Sequence, residues 1–302
     1  MKNIEEYLAK TDRKLLYKSL TPIQTSYRPE IDTTPELNAT DSAYYQSLIG
    51  ILSWMVELGR VDICLEVSML SSHLVLPREV HLLQLLHMFA YLKRNHNSEM
   101  VFDPSDPVID ESLFDRKYGT ASEFGLSLNE ELPTNMPQPR GMGFVIRSYV
   151  DADHAGDSIT RRSRTGFLVY LNSDLVYWMS KKQTSVETSS FWSDFIAMKQ
   201  CTEYIRGLGY KLRMMGIPCT SPAFIFGDNQ SVLANTTIPD STLNKKSHSI
   251  AYHFFREGAA RDEWCTTYVN THLNPVDLLT KTLPSGEKQT NFVQMILHYI
   301  FR

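Results

Sequence analysis

Two periodicities divide this chain, and the change from one to the other limits what it can fold into. Over residues 42–94 apolar side chains recur at helical spacing. From residue 144 onward, short β-branched and aromatic runs alternate with helical stretches. The first pattern packs helix on helix, and the second builds a sheet with helices on its faces. A small helical bundle followed by an α/β domain is the expected plan.

The bundle reads as three helices. The first, over 42–55, carries Tyr45, Leu48, Ile49, Leu52 and Met55 on one face and has Ser42 or Asp41 as its cap. The second, over 62–74, presents Ile63, Val67, Leu70 and Leu74. Pro77 opens the third, over 78–94, with Val80, Leu83, Leu86, Phe89, Ala90 and Leu92 mostly inward. His73, His81, His87 and His96 are scattered along these helices, which argues against a metal site there. Residues 1–40 form an extension, a short acidic helix and then a polar loop holding Pro22, Pro29 and Pro35. Over 97–143 periodicity is lost among Pro104, Pro107, Pro133, Pro137 and Pro139 and an acidic excess. A structureless stretch of that length inside one domain is uncommon, so it reads as a linker with room for one hairpin. The boundaries expected are therefore 1–40, 41–96, 97–143 and 144–302.

In the last of these, a strand is expected over 144–150, then a basic turn over 161–166. A hairpin of 167–172 and 175–180 turns over Ser173-Asp174. A long helix over 187–215 follows, then a strand over 223–226 ending in Gly227-Asp228-Asn229 and a short helix through Leu233. Next come a helix over 247–261, a strand over 264–270 and a helix over 275–283. The closing NFVQMILHYIF reads as a docking helix or strand. The order describes a mixed sheet flanked by helices.

Composition narrows the function classes. With 42% hydrophobic and 21% charged residues the chain is globular rather than disordered. Residues 1–144 carry 13 Lys+Arg against 20 Asp+Glu, and residues 145–302 carry 17 against 14, so only the second half is suited to a polyanion, and weakly. Cys64, Cys201, Cys219 and Cys265 form no CxxC pair, which points away from a zinc ribbon or disulfide scaffold. The N-terminal MKNIEEYLAK lacks a signal-peptide core, and no apolar run approaches the ~18–20 residues of a membrane span. An intracellular protein, cytoplasmic or nuclear rather than secreted, with no membrane partner, is the expectation.

Four acids stand where chemistry is built in α/β folds. Asp151 ends the first strand of the domain, in SYVDADHAGD. Asp194 lies in the first turns of the long helix, Asp228 ends a later strand, and Asp277 starts the last helix. Strands disfavour Asp and burial penalises an unpaired charge, so acids at strand mouths ask for a reason. Open α/β sheets gather ligands outside strand ends, where these four could converge. Oxygen donors without Cys or clustered His suit Mg²⁺, with Mn²⁺ as the alternative, rather than zinc. Two such ions ~3.5–4 Å apart activate water and stabilise the leaving oxygen in phosphodiester cleavage. Taken singly, Asp151 is also readable as a turn residue, Asp277 as a helix cap and Asp194 as a solvated side chain.

The segments YVDADHAGD, TRRSRTGFLVYL, VYWMSKKQTSV, Ser189-Ser190, AYHFFREG and NPVDLLTKTL together resemble the RNase H domain of copia-type LTR retrotransposon Pol polyproteins. The helical part is similar to the thumb-like end of the reverse transcriptase that precedes it. The matching positions there are Tyr45, Leu48, Gly50 and Leu52, then Arg60-Val61-Asp62-Ile63, Leu70-Ser71, Pro77, His81 and Tyr91-Leu92-Lys93. The likeness runs from about residue 40 to 285. It implies an RNase H-like fold and cleavage of the RNA strand of an RNA/DNA hybrid. It places two Mg²⁺ ions on Asp151, Asp194, Asp228 and Asp277. It puts Arg161, Arg162, Arg164, Lys181, Lys182 and Asn229 near the nucleic acid, and His272 where a mobile histidine assists proton transfer or product release.

The chain departs from that pattern in places. Ser-Ser-x-Glu-Ala-Glu-Tyr of the family reads Ser189-Ser190-Phe191-Trp192-Ser193-Asp194-Phe195 here, so the expected metal-bridging Glu is the shorter Asp194. His154 stands in place of Trp, expected as a packing change, and Ser247 stands at a frequent family His. The Tyr-x-Asp-Asp motif of a polymerase palm is missing from the sequence, so DNA synthesis is not expected and the polymerase portion of a related reverse transcriptase becomes a candidate partner. Three functional readings follow: a two-metal ribonuclease from a truncated reverse transcriptase, a module that grips hybrid without cutting it, and an aggregation-prone relic.

Overall fold

A computed structural model describes residues 2–11, 19–103, 105–114, 133–219, 221–237 and 249–299. The chain divides into two compact units. One comprises Met1–Val101, Ala155–Arg162 and Leu278–Arg302, the other Phe102–His154 and Ser163–Asp277.

The first unit is helical. It contains α1 (Lys2–Thr11), α2 (Ala39–Glu57), α3 (Cys64–Leu70) and α4 (Glu79–Arg94), with 3-10 turns at Pro29–Ile31, Val61–Ile63 and Ser71–His73, and then β1 (Ser98–Glu99). The cap of α2 is Asn38, whose side chain accepts the Asp41 amide at 2.9 Å, so the helix starts earlier than Asp41 or Ser42 would set it. Tyr45, Leu48, Ile49 and Leu52 are buried as expected, with Val56 in place of Met55. On α4 Leu86, Phe89, Ala90 and Leu92 are buried as expected, but Leu83 is 46% exposed, and Leu82, Leu85 and the polar His81 and Gln84 are buried as well. The polar pair is buried because residues 19–31 supply partners. Gln84 accepts the Gln24 amide, and His81 hydrogen-bonds the Pro29 carbonyl. Asp62, also buried, accepts two bonds from the Arg60 fork at 2.9 and 2.8 Å and one from the Tyr91 hydroxyl at 2.9 Å. A buried carboxylate is tolerated when it is satisfied in this way.

The second unit is built on a five-stranded mixed sheet in the order β4-β3-β2-β5-β6. Its strands are β2 (Ile146–Asp153), β3 (Arg164–Leu171), β4 (Asp174–Lys182), β5 (Ala223–Gly227) and β6 (Trp264–Tyr268). β2, β3 and β4 form an antiparallel meander. Its hairpin turns at Asn172, whose φ is 54°. The 25-residue α5 (Ser190–Met214) then returns the chain, so β5 pairs parallel to β2 on its free side, with β6 parallel beyond it. Gly216, at φ 75°, ends that helix: its amide bonds Arg213 O while the Ile217 amide reaches Leu212 O. The mixed sheet flanked by helices that the sequence leads one to expect is present.

Shorter helices α6 (Gln230–Thr237) and α7 (Ser249–Ala260) lie between β5 and β6. The expected start of α7 at residue 247, with Ser247, lies outside the described residues. The core joins Val150, Phe167, Phe195, Met198, Ile225 and Trp264 from sheet and helices. α7 packs on β6 so closely that a Cβ on Gly258 would stand 2.0 Å from the Trp264 ring. The stretch read as a linker also contributes. Phe114, after a 3-10 turn at Glu111–Leu113, packs edge-on to Phe224 and Phe226, and the Thr267 hydroxyl donates to Leu113 O at 2.6 Å.

The helix expected over 275–283 is only the four-residue α8 (Asp277–Thr280). Within the first unit, α9 (Glu287–Ile296) packs against the 3-10 turn Val61–Ile63, and β7 (His298–Tyr299) pairs antiparallel with β1. The closing segment is thus both helix and strand. Among the described residues no helix is long and apolar enough to cross a membrane.

Candidate active site

The acids sit at one end of the sheet of the second unit. Asp151, near the end of β2, is 4% exposed and lies opposite Gly166 of β3. Asp228 follows β5 directly, and β5 runs parallel to β2, so both acids emerge at the same edge. Asp194 links the two strands. Its carboxylate accepts the Ala152 amide of β2 at 3.0 Å and the Asn229 side-chain amide at 2.7 Å. Asp194 can do this because it lies in the first turns of α5, which packs on β2.

Asp277 reaches the same edge by a different device. Asn274, fully buried, donates from Nδ2 to the Val150 carbonyl at 3.2 Å, one residue before Asp151. Its Oδ1 accepts the Val276 amide, and its carbonyl accepts the Asp277 amide. The turn Asn274-Pro275-Val276-Asp277 is therefore fastened to β2, with Asp277 itself fully buried. Thr271 donates its hydroxyl to Asp228. His272, beside it, is exposed, and only its backbone amide is fixed, by Asn270.

A buried polar network holds the start of α5. Ser193 Oγ lies 2.8 Å from Ser163 Oγ and 3.1 Å from His154 Nδ1. Gln183 donates from Nε2 to Ser193 O at 2.9 Å and to Thr165 Oγ1 at 3.1 Å. His154 is exposed and hydrogen-bonded, so the change expected there as one of packing is a change of polar contact.

The basic residues fall into different places. Lys182 is the register partner of Arg164, and Arg164 of Asp153; Lys181 stands level with Ala152 through Thr165. Two strand spacings of ~4.8 Å put Lys181 roughly 10 Å along the sheet from Ala152. Lys181 is exposed, whereas Arg164 is 6% exposed and turned to Ser180. Arg161 and Arg162 are exposed and belong to the segment Ala155–Arg162 of the first unit.

The structure thus ties Asp151, Asp194, Asp228, Asp277 and Asn229 together through hydrogen bonds among their neighbours. Among the described residues, no three His, Cys, Asp or Glu side chains meet at the spacing of one metal shell. Sequence reasoning missed Thr271 and Ser193, and it placed Gln183 in a turn near phosphates, whereas its side chain is buried against Ser193 and Thr165. It also missed Asn274, although that residue lies within the NPVD segment that carried the resemblance.

No family model matches the chain. It is 27% identical over 293 residues to the retrovirus-related Pol polyprotein from transposon RE1 of Arabidopsis thaliana, covering 97% of this chain and 17% of the relative. The corresponding polyprotein from transposon TNT 1-94 of Nicotiana tabacum is 22% identical over 291 residues, covering 94% of this chain and 19% of the relative. The chain therefore spans under a fifth of the length of these relatives. Among solved structures, LC11-RNase H1 in complex with RNA/DNA hybrid is similar at 11% identity, covering 45% of this chain and 93% of that one, with a TM-score of 0.36. Over nearly its whole length, the chain is similar to retrovirus-related Pol polyproteins from transposons.

Proposed function

We propose that the second unit is an RNase H-type endonuclease module that hydrolyses the RNA strand of RNA/DNA hybrids. The observation that carries this reading is the double hydrogen bond of Asp194, to Ala152 on β2 and to Asn229 beyond β5. It joins the positions of two strand-end acids and a helix acid at one edge of the sheet. The donors are all carboxylate oxygens, a hard set suited to Mg²⁺ or Mn²⁺. Asp151, Asp194, Asp228 and Asp277 would hold two ions. Mutual repulsion spreads carboxylates apart, and divalent charge opposes that spread. When bound, the ions activate the attacking water and stabilise the leaving oxygen. Asn274 and Thr271 orient the acids, and the Ser193–Gln183 network fixes the helix that carries Asp194. Lys181 and Lys182 would contact backbone phosphates. His272, which is exposed, would serve proton or product transfer. Buried Arg164 acts as support for the hairpin.

In this reading the helical first unit is the thumb-like segment of the relatives. The polymerase portion of a related Pol is the proposed partner.

A second reading rests on one observation. Asp194 is a methylene shorter than the Glu of the pattern and is already engaged at both carboxylate oxygens. That favours a module that binds hybrid but cleaves poorly. The deciding experiment is cleavage of a labelled hybrid with Mg²⁺ or Mn²⁺ by wild type, Asp151→Asn and Asp194→Glu. Wild-type cleavage abolished in Asp151→Asn supports the nuclease. Cleavage only in Asp194→Glu supports the second reading. No cleavage by any of the three, with salt-dependent hybrid binding also absent, overturns both.

A further inference from the structure

The other end of the same sheet holds a cavity that the nuclease reading does not use. Its volume is about 340 Å³, and Ile146, Ala223 and Trp264 line it. These are the first residues of β2, β5 and β6, so the cavity opens at the N-terminal ends of three mutually parallel strands, away from the acids at the C-terminal ends. Three arginines complete the lining. Arg206 and Arg213 come from the last turns of α5, and Arg261 follows α7.

Two of the guanidinium groups, those of Arg206 and Arg261, are only partly used. Arg206 donates from Nε to Glu263 at 2.6 Å and lies over the rings of Phe254 and Trp264 at 4.2 and 5.0 Å. Its Nη2 is buried without a hydrogen-bond partner. Arg261 pairs with Glu257 through Nη2 at 2.9 Å, and its Nε is likewise buried without a partner. A buried donor without an acceptor is destabilising, and two such donors flank one cavity. The lining also includes Asp262 and Glu263, so with Glu257 on Arg261 the three guanidinium charges are balanced, and the opening for a ligand lies in the unpartnered donors. What those two donors lack is acceptor oxygens. Phosphate supplies several at once and matches the guanidinium fork. The volume lies within the ~300–1,000 Å³ of small-molecule sites, larger than a bare anion requires.

We propose that this cavity binds a phosphomonoester, with the phosphate on Arg206, Arg213 and Arg261 and the organic body against Trp264 and Ile146. The shared chemistry is a terminal phosphate, carried either by a free mononucleotide or by the end of a nucleic-acid strand. The competing explanation is that basic side chains at helix C-termini serve only the last-turn carbonyls.

The test is titration calorimetry of the whole chain with inorganic phosphate, adenosine 5′-monophosphate, and a dinucleotide with and without its 5′-phosphate. Arg213→Gln and Arg261→Gln are compared with Lys211→Gln, which removes the same charge from the exposed side of α5. Circular dichroism verifies that each variant is folded. Wild type binds phosphate and the monophosphate, each cavity variant weakens both roughly tenfold or more, and Lys211→Gln leaves them unchanged. Tight binding of the phosphorylated dinucleotide assigns the strand end as the source; binding of the mononucleotide alone assigns the free ligand. Absence of phosphate binding, or equal weakening in all three variants, overturns the proposal. The readout does not involve cleavage, so it stands apart from the nuclease reading.

Discussion

Gly258→Ala should destabilise the second unit, whereas Gly207→Ala should stabilise it. Both glycines lie in helices, Gly258 in α7 and Gly207 in α5, so each change gains about 1 kcal/mol of helix propensity. Their surroundings differ. A Cβ at Gly207 meets nothing within 4 Å, but one at Gly258 would lie 2.0, 2.2 and 2.6 Å from three atoms of the Trp264 ring. Contact at van der Waals distance requires a separation of ~3.5–4 Å, so ring and helix would have to part by about 1.5 Å. The ring has no room to swing. Trp264 is fully buried, donates from Nε1 to Phe255 O at 3.2 Å, and is flanked by Phe254 and Phe255 at 5.8 and 5.7 Å. Overpacking of this severity costs about 3–4 kcal/mol, at or beyond the upper end of the usual range. Subtracting the propensity gain leaves a net loss of roughly 2–3 kcal/mol, or ~4–12 °C in Tm for a unit of this size. Urea melts followed by tryptophan fluorescence measure both variants against wild type. Equal midpoints for the two variants, or a Gly258→Ala midpoint at or above wild type, would refute the packing argument.

Other consequences are directly measurable. Phe114→Ala should cost roughly 3 kcal/mol in urea unfolding of the second unit, because an aromatic side chain buried against Phe224 and Phe226 is lost; a neutral effect would mean that residues 105–114 are a free tether. Gln183→Met removes the donor shared by Ser193 O and Thr165 Oγ1 and should cost about 1–2 kcal/mol. Any hybrid cleavage should fall with it, since Asp194 follows Ser193. Burial lowers the imidazoles of His81 and His87 below their usual 6.5, and for His81 this outweighs the opposing pull of the Pro29 carbonyl and Asp32, with Arg78 adding to the depression. The unfolded chain therefore takes up these protons first as pH falls. Stability of the first unit should be full above pH 6.5 and lost as pH falls towards the lower native values. Urea midpoints measured across that window should drop with acid, and a flat profile would contradict the burial argument.

What the sequence showed best was what local patterning controls. The meander, α5 and the two parallel strands announce themselves by β-branched runs and a 25-residue helical period, and the elements fall within a few residues of expectation. The misses have a common physical origin in partners distant along the chain. Leu83 looked like core but is exposed, while Gln84, which no apolar pattern marks, is buried because Gln24, 60 residues earlier, bonds it. Phe114 sat in a stretch without periodicity, and only the sheet reveals what it covers. The same applies at the site. The four acids were legible from their places at strand and helix ends, whereas Thr271 and Asn274, which hold two of those positions, are small polar loop residues without periodicity. The bond from Asn229 to Asp194 spans 35 residues and no spacing rule anticipates it.

The pairing of β1 with β7 bears on how the molecule is made. Ser98 and Glu99 wait for Tyr299 and His298, which leave the ribosome roughly 200 residues later, a delay of about 10–40 s at the usual pace of synthesis. Throughout that interval the earliest part of the chain has an unpaired backbone edge, and the Val61–Ile63 turn lacks the helix that later covers it. A premature stop codon beyond Asp277 would leave every residue of the second unit in place and damage the first. Nascent chains arrested just short of β7 would then be the species most exposed to chaperones and proteases.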